Sequence, residues 1–97
     1  MNRIDLCRAL TGEWIGNWED HSDVRLDIYV IDTMFDGFYY IDDHKVQFQG
    51  TIVEDTDHAR IYFNPPMDPD SGGWFYYDSK VLEVYCKDRR STFHKMK

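Results

Sequence analysis

Gly12-Glu13-Trp14-Ile15-Gly16-Asn17-Trp18 is the stretch at which the hydrophobic period of this chain changes. Upstream, Ile4, Leu6, Cys7 and Leu10 put apolar groups at helical spacing, with Asn2 placed to cap the first turn and Gly12 just past the end. The result is a helix of about two turns, too short to hold its shape unless it is docked. From Gly12 onward the period is two. Trp14, Gly16 and Trp18 alternate with Glu13, Asn17 and Glu19, the pattern of a strand with one face on a core.

The same period runs through the rest of the chain. After a turn at His21-Ser22-Asp23, Val24, Leu26, Ile28 and Val30 alternate with Arg25, Asp27, Tyr29 and Ile31. Asp32-Thr33 leads into a strand from Met34 to Ile41, where Gly37 predicts a bulge or a close backbone approach. Beyond the turn Asp42-Asp43-His44, Val46, Phe48, Gly50 and Ile52 form one face, and beyond the polar loop Glu54 to His58 so do Ala59, Ile61 and Phe63. The longest loop, Asn64 to Gly73, holds all three prolines and leads to a strand from Trp74 to Tyr77. Strands from Val81 to Cys86 and from Arg90 to Met96 complete the series, separated by Lys87-Asp88-Arg89. The expectation is an all-β single domain over residues 1–97: an eight-stranded antiparallel up-and-down (meander) β-barrel with a short N-terminal helix. A sandwich, or an open half-barrel that covers its edges by dimerising, is the competing arrangement.

Composition agrees with many turns and little helix. The 97 residues carry a net charge of −7, supplied by fourteen aspartates and only four glutamates, and aspartate favours turns and caps. Seven tyrosines, six phenylalanines and three tryptophans suit pleated, half-buried surfaces. An acidic surface repels phosphate backbones, so no nucleic-acid partner is expected. No apolar stretch approaches the ~18 residues of a membrane span, and Met1 to Cys7 lack the apolar run of a signal peptide. A cytoplasmic protein with reduced thiols at Cys7 and Cys86 is therefore expected; the alternative is a disulfide pinning the helix to a late strand.

With the short helix, Gly12-x-Trp14 at the first strand and a basic residue in the last, the chain resembles the calycins, the superfamily of lipocalins, fatty-acid-binding proteins and avidins. The resemblance implies a closed barrel, an interior ligand and a basic side chain, Arg90 or Lys95, packed across Trp14. The chain is shorter than most members of that superfamily and lacks the other lipocalin motifs.

Candidate site residues follow from the faces. Trp14 is expected in the floor of the barrel, and Trp18, one step further along the same face, in a core or a pocket. Phe48 lies on the apolar face of its strand. Asp36 shares a face with Met34, Phe38 and Tyr40; were that face interior, its carboxyl would be a candidate general acid or base. Tyr40, Trp74 and Tyr76 are candidate ligand contacts, with rings to stack on and polar tips to orient a ligand. His21, His44 and His58 fall in or beside turns, and His94 alternates with Phe93 so as to point outward. No His/Cys/Asp spacing matches a metal site, and no cofactor is expected. The segment Asp68-Pro69-Asp70-Ser71-Gly72 lacks the ligand number of a calcium loop and is expected to cover one mouth of the barrel.

Three functions fit these residues. One is an intracellular barrel holding a small apolar or aromatic ligand. Another is a barrel enzyme, a cyclase or isomerase, working through cavity shape and an acid such as Asp36. The third is an acidic protein-interaction or inhibitor module; a protein partner or a homodimer stays open. A cavity containing an acid favours the enzyme, a cavity without one favours binding, and a filled interior leaves only interaction.

Overall fold

The computed structural model describes residues 2–65 and 67–96; Met1, Pro66 and Lys97, which the sequence reading placed in the N-terminus, the long loop and the domain's end, lie outside the described residues. The order is α1 (Arg3–Leu10), β1 (Gly12–Trp18), β2 (His21–Ile31), β3 (Met34–Ile41), β4 (His44–Glu54), β5 (His58–Phe63), β6 (Ser71–Tyr76), β7 (Leu82–Cys86) and β8 (Arg89–Lys95). Each strand pairs antiparallel with the next, and β1 pairs with β8 through Trp14↔Lys95, Ile15↔His94 and Gly16↔Phe93. The barrel is closed. A sandwich and an open half-barrel are both excluded, because no strand is left with a free edge.

The expected alternation of β2 holds: Val24, Leu26, Ile28 and Val30 are buried. Its turns are tighter than expected. β2 begins at His21, leaving only Glu19-Asp20 between it and β1, and β6 begins at Ser71, so the long loop shrinks to residues 64–70. Asp32 and Asp42 open their two-residue turns at φ 57° and 53°, a left-handed backbone that aspartate tolerates better than most residues.

Gly37 is not a bulge. Its pairing with Ile28 on one side and Phe48 on the other is unbroken, and the register shift of the barrel falls instead between Gly16 and Trp18. Gly37 serves close approach: a Cβ there would lie 2.6 Å from the Phe48 ring. The same device recurs. Phe35 covers its cross-strand partner Gly50, and Phe93 covers Gly16. Three rings thus occupy the space over the inner wall where a side chain is missing.

One end of the barrel is sealed. Leu6 and Leu10 of α1 are buried there with Trp14, whose ring meets Phe75 edge-on at 6.0 Å. Asn2 caps the helix by accepting from the Asp5 amide at 2.9 Å. Arg3 ties α1 to Asp32 at 2.8 Å and to Glu54 at 3.1 Å, so Glu54 ends its strand in an ion pair at the rim. Of the two basic candidates in the last strand, Lys95 is the one on the tryptophan's side. Its stem crosses Gly12, and its Nζ donates to the Arg8 and Ala9 carbonyls at 2.9 and 3.0 Å. These carbonyls are orphans of the last helical turn, at the negative end of the helix dipole. Burial holds the Lys95 ammonium below the ordinary lysine pKa. Arg90 lies elsewhere, 5.3 Å from the Trp74 ring. Replacing Lys95 by Met keeps the stem and removes the cap; the expected result is a loss of ~1–2 kcal/mol in chemical denaturation. Unchanged stability would show that the ammonium does not hold the helix.

Candidate functional site

Above the Trp14 floor the barrel is hollow. The cavity measures about 260 Å³ and runs from Leu10 of the plug to Trp18, Ile41 and Met67 at the opposite end. Its walls come from the alternating inner faces. Leu26 and Ile28 of β2, with Ile52 and Ile61 of β4 and β5, supply aliphatic surface. Phe35, Phe48 and Phe63 form a mutually edge-on cluster with centroids 5.5 to 5.9 Å apart, and Tyr39 stacks on Phe48 at 6.2 Å. Glycines beneath Phe35, Phe48 and Phe93 let those rings lie back, and the space they vacate belongs to the cavity.

Polar groups on the wall are few, and several sit near the mouth: the Trp18 indole, the Ser71 hydroxyl and the Cys86 thiol. Ser71 and Cys86 are cross-strand partners, and the Ser71 hydroxyl donates to the Asp68 carbonyl. Among the described residues no carboxylate lines the cavity. The loop before β6 contributes Met67 to the mouth and is tied down by Lys87 N–H, which donates to the Asp70 carbonyl at 2.7 Å.

The sequence-derived candidates divide cleanly. Trp18 and Phe48 are on the cavity wall. Asp36, Phe38 and Tyr40 are on the outside of β3, because the face turned inward is Phe35, Gly37, Tyr39 and Ile41. Asp36 accepts from Gln49 Nε2 at 2.7 Å on the surface. Phe38 lies under the Lys45 ammonium at 4.3 Å, and Tyr40 under the Arg25 guanidinium at 4.3 Å. Trp74 and Tyr76 also face outward. Trp74 is flanked by Arg60 and Arg90 and tilts against Tyr85 at 4.9 Å, while the Tyr76 hydroxyl donates to Glu83 at 2.9 Å. The residues missed are Phe35, Tyr39 and Phe63. A signal for the first two was present: across the two-residue turn Asp32-Thr33, Ile31 faces Met34, so an inward Val30 requires an inward Phe35.

The two cysteines are free and lie at opposite ends, Cys86 at the mouth and Cys7 on α1, where its thiol meets the Asp32 carbonyl at 3.6 Å. A staple between them is geometrically excluded. Among the described residues no cluster could hold a metal ion, and no helix is long and apolar enough to cross a membrane.

Fold and cavity together define the class: a closed eight-stranded antiparallel barrel, plugged by a helix at one end, with an apolar chamber open toward the other. No protein-family model, curated protein or solved structure matches the chain.

Proposed function

We propose that this protein is a calycin-like binding barrel that holds one small, largely apolar or aromatic molecule in the chamber above Trp14. The observation that carries the reading is the empty, apolar volume of about 260 Å³. An eight-stranded barrel can equally be filled by its own side chains, so an interior that stays hollow is a choice of residues. An apolar cavity of ~150 Å³ lined by Leu, Ile and Phe stays dry and takes benzene. The larger chamber here suits a molecule of one or two rings, or a chain of comparable bulk. Trp18 and Phe48 are the sequence candidates that touch it. The absence of a carboxylate from its described wall supports binding over acid-assisted cyclisation or isomerisation. Free thiols at both ends of the barrel suit a reducing compartment such as the cytoplasm.

The experiment is titration with 1-naphthylamine, a two-ring probe whose emission shifts to the blue in an apolar site, alongside native mass spectrometry of protein from its own host. Val84 lines the cavity, and Val84→Phe fills part of it. The variant is expected to lose at least about tenfold in probe affinity while its stability changes by no more than ~3 kcal/mol. Equal binding by variant and wild type would reject the chamber as the site.

A second reading rests on a different surface. On the outside of β2 to β4, Ile31, Met34 and Val53 are each more than half exposed, and Ile31 and Met34 are cross-strand partners. Such a patch suits a protein partner or a second copy. A single monomeric mass at micromolar concentration would argue against the second copy.

A further inference from the structure

The mouth of the chamber is acidic. Three of the strand ends that line it lead into carboxylates: Trp18 into Glu19-Asp20, Ile41 into Asp42-Asp43 and Cys86 into Lys87-Asp88. In the loop between β5 and β6, Met67 precedes Asp68 and Asp70 comes immediately before Ser71, while Phe63 at the end of β5 runs into the neutral Asn64. The nearby cations are engaged. Lys87 Nζ lies 3.5 Å from Asp68 and Arg89 Nε lies 3.2 Å from Glu19. Lys45 turns outward over Phe38. Asp43, Asp70 and Asp88 have no ion-pair partner among the described residues. The negative field reaches the wall of the chamber. Burial raises the Cys86 thiol pKa first and Asp68 next; Asp70 and Glu19 add to the rise against Lys87.

We infer that the chamber selects amphiphiles with a cationic head, the apolar tail lying among Leu26, Phe48 and Ile61 and a protonated amine resting at the mouth beside Asp43 and Asp70. The inference rests on the chamber being a binding site, as proposed above. Apolar contact supplies most of the affinity, about fourfold per buried methylene. The rim decides between heads. An ammonium gains from each nearby carboxylate, whereas a carboxylate head meets like charge on every side. These charges are exposed, so the preference is screened by salt.

The test is displacement of 1-naphthylamine, neutral at this pH, by octylamine, octan-1-ol and nonanoate, three eight-carbon tails with heads that are positive, neutral and negative at neutral pH. Octylamine is expected to displace the probe at roughly a tenth of the octan-1-ol concentration, with nonanoate weakest, and the gap should narrow at high salt. The near-isosteric pair Asp43→Asn/Asp70→Asn should remove most of the amine's advantage and leave octan-1-ol unchanged. Asp55→Asn/Asp78→Asn removes the same charge away from the mouth and should leave the order as in wild type. Octylamine no better than octan-1-ol, or an equal loss in both double variants, overturns the charge preference alone. Failure of the probe itself to bind overturns the binding chamber and this inference with it.

Discussion

Replacing Gly50 by alanine is expected to destabilise the barrel by ~3 kcal/mol or more, at or beyond the upper end of ordinary overpacking. A Cβ at Gly50 would overlap the Tyr62 carbonyl oxygen and stand 2.6 Å from Cζ of Phe35. The Phe35 ring has some freedom to swing, but into Phe48 and Phe63, which already meet it edge-on at 5.9 Å. The carbonyl has none. It belongs to the β4–β5 ladder, where Gly50 faces Phe63 and Thr51 faces Tyr62, and the next amide along, Asn64 N–H, donates to the Gln49 carbonyl at 2.8 Å. Relief therefore requires parting two strands of a closed barrel. Urea unfolding is the measurement, and for a domain of this size the melting temperature should fall by about 12 °C or more. A loss below ~1 kcal/mol would mean that β4 and β5 part at Gly50 with little cost.

Trp14→Ala should cost ~3–5 kcal/mol, the range for deleting a buried aromatic. Trp14 is wholly buried, packs edge-on against Phe75 and donates from Nε1 to the Leu10 carbonyl at 2.9 Å. Removing the indole opens a void under the plug and strips a helix-end carbonyl of its partner. Trp14→Phe separates the two effects, keeping most of the packing while losing the donor, and should cost ~1–3 kcal/mol. If the plug depends on Trp14, α1 amides should exchange faster in the alanine variant even under conditions where the strands stay protected. Protection of α1 equal to wild type would place the plug's stability elsewhere.

What could be read from the residues alone follows a physical rule. β2 was legible because its inner face is wholly aliphatic and its outer face carries Arg25 and Asp27, so only one register buries the apolar side. β3 was not, because aromatics stand on both faces. Phe38 and Tyr40 look like core residues, yet they are covered from outside by Lys45 and Arg25, whose aliphatic stems and charges shield aromatic surface from water. The turn at Asp32-Thr33 carried the missing information. β6 is hidden for the opposite reason: its inner face opens with Ser71 and Gly73, which read as loop, while its outer Trp74 reads as core. The chamber itself was only half legible. Trp18 and Phe48 lay on clear faces, but its size depends on rings reclining over glycines in the neighbouring strand, and pairing of that kind does not show in periodicity.

The bond from Lys95 to the Arg8 carbonyl spans 87 positions of the chain, and Trp14 faces Lys95 across the seam that closes the sheet. This has a consequence in time. On a ribosome, α1 emerges before the strands and β8 after the other seven, so the helix waits through the synthesis of the whole sheet for the ammonium that anchors its end. An eight-residue helix has little structure alone. Until the seam forms, β1 and β8 are both unpaired edges and the apolar chamber is open along its side. Closing one seam thus joins the edges, seats the plug and creates the binding space in a single late event.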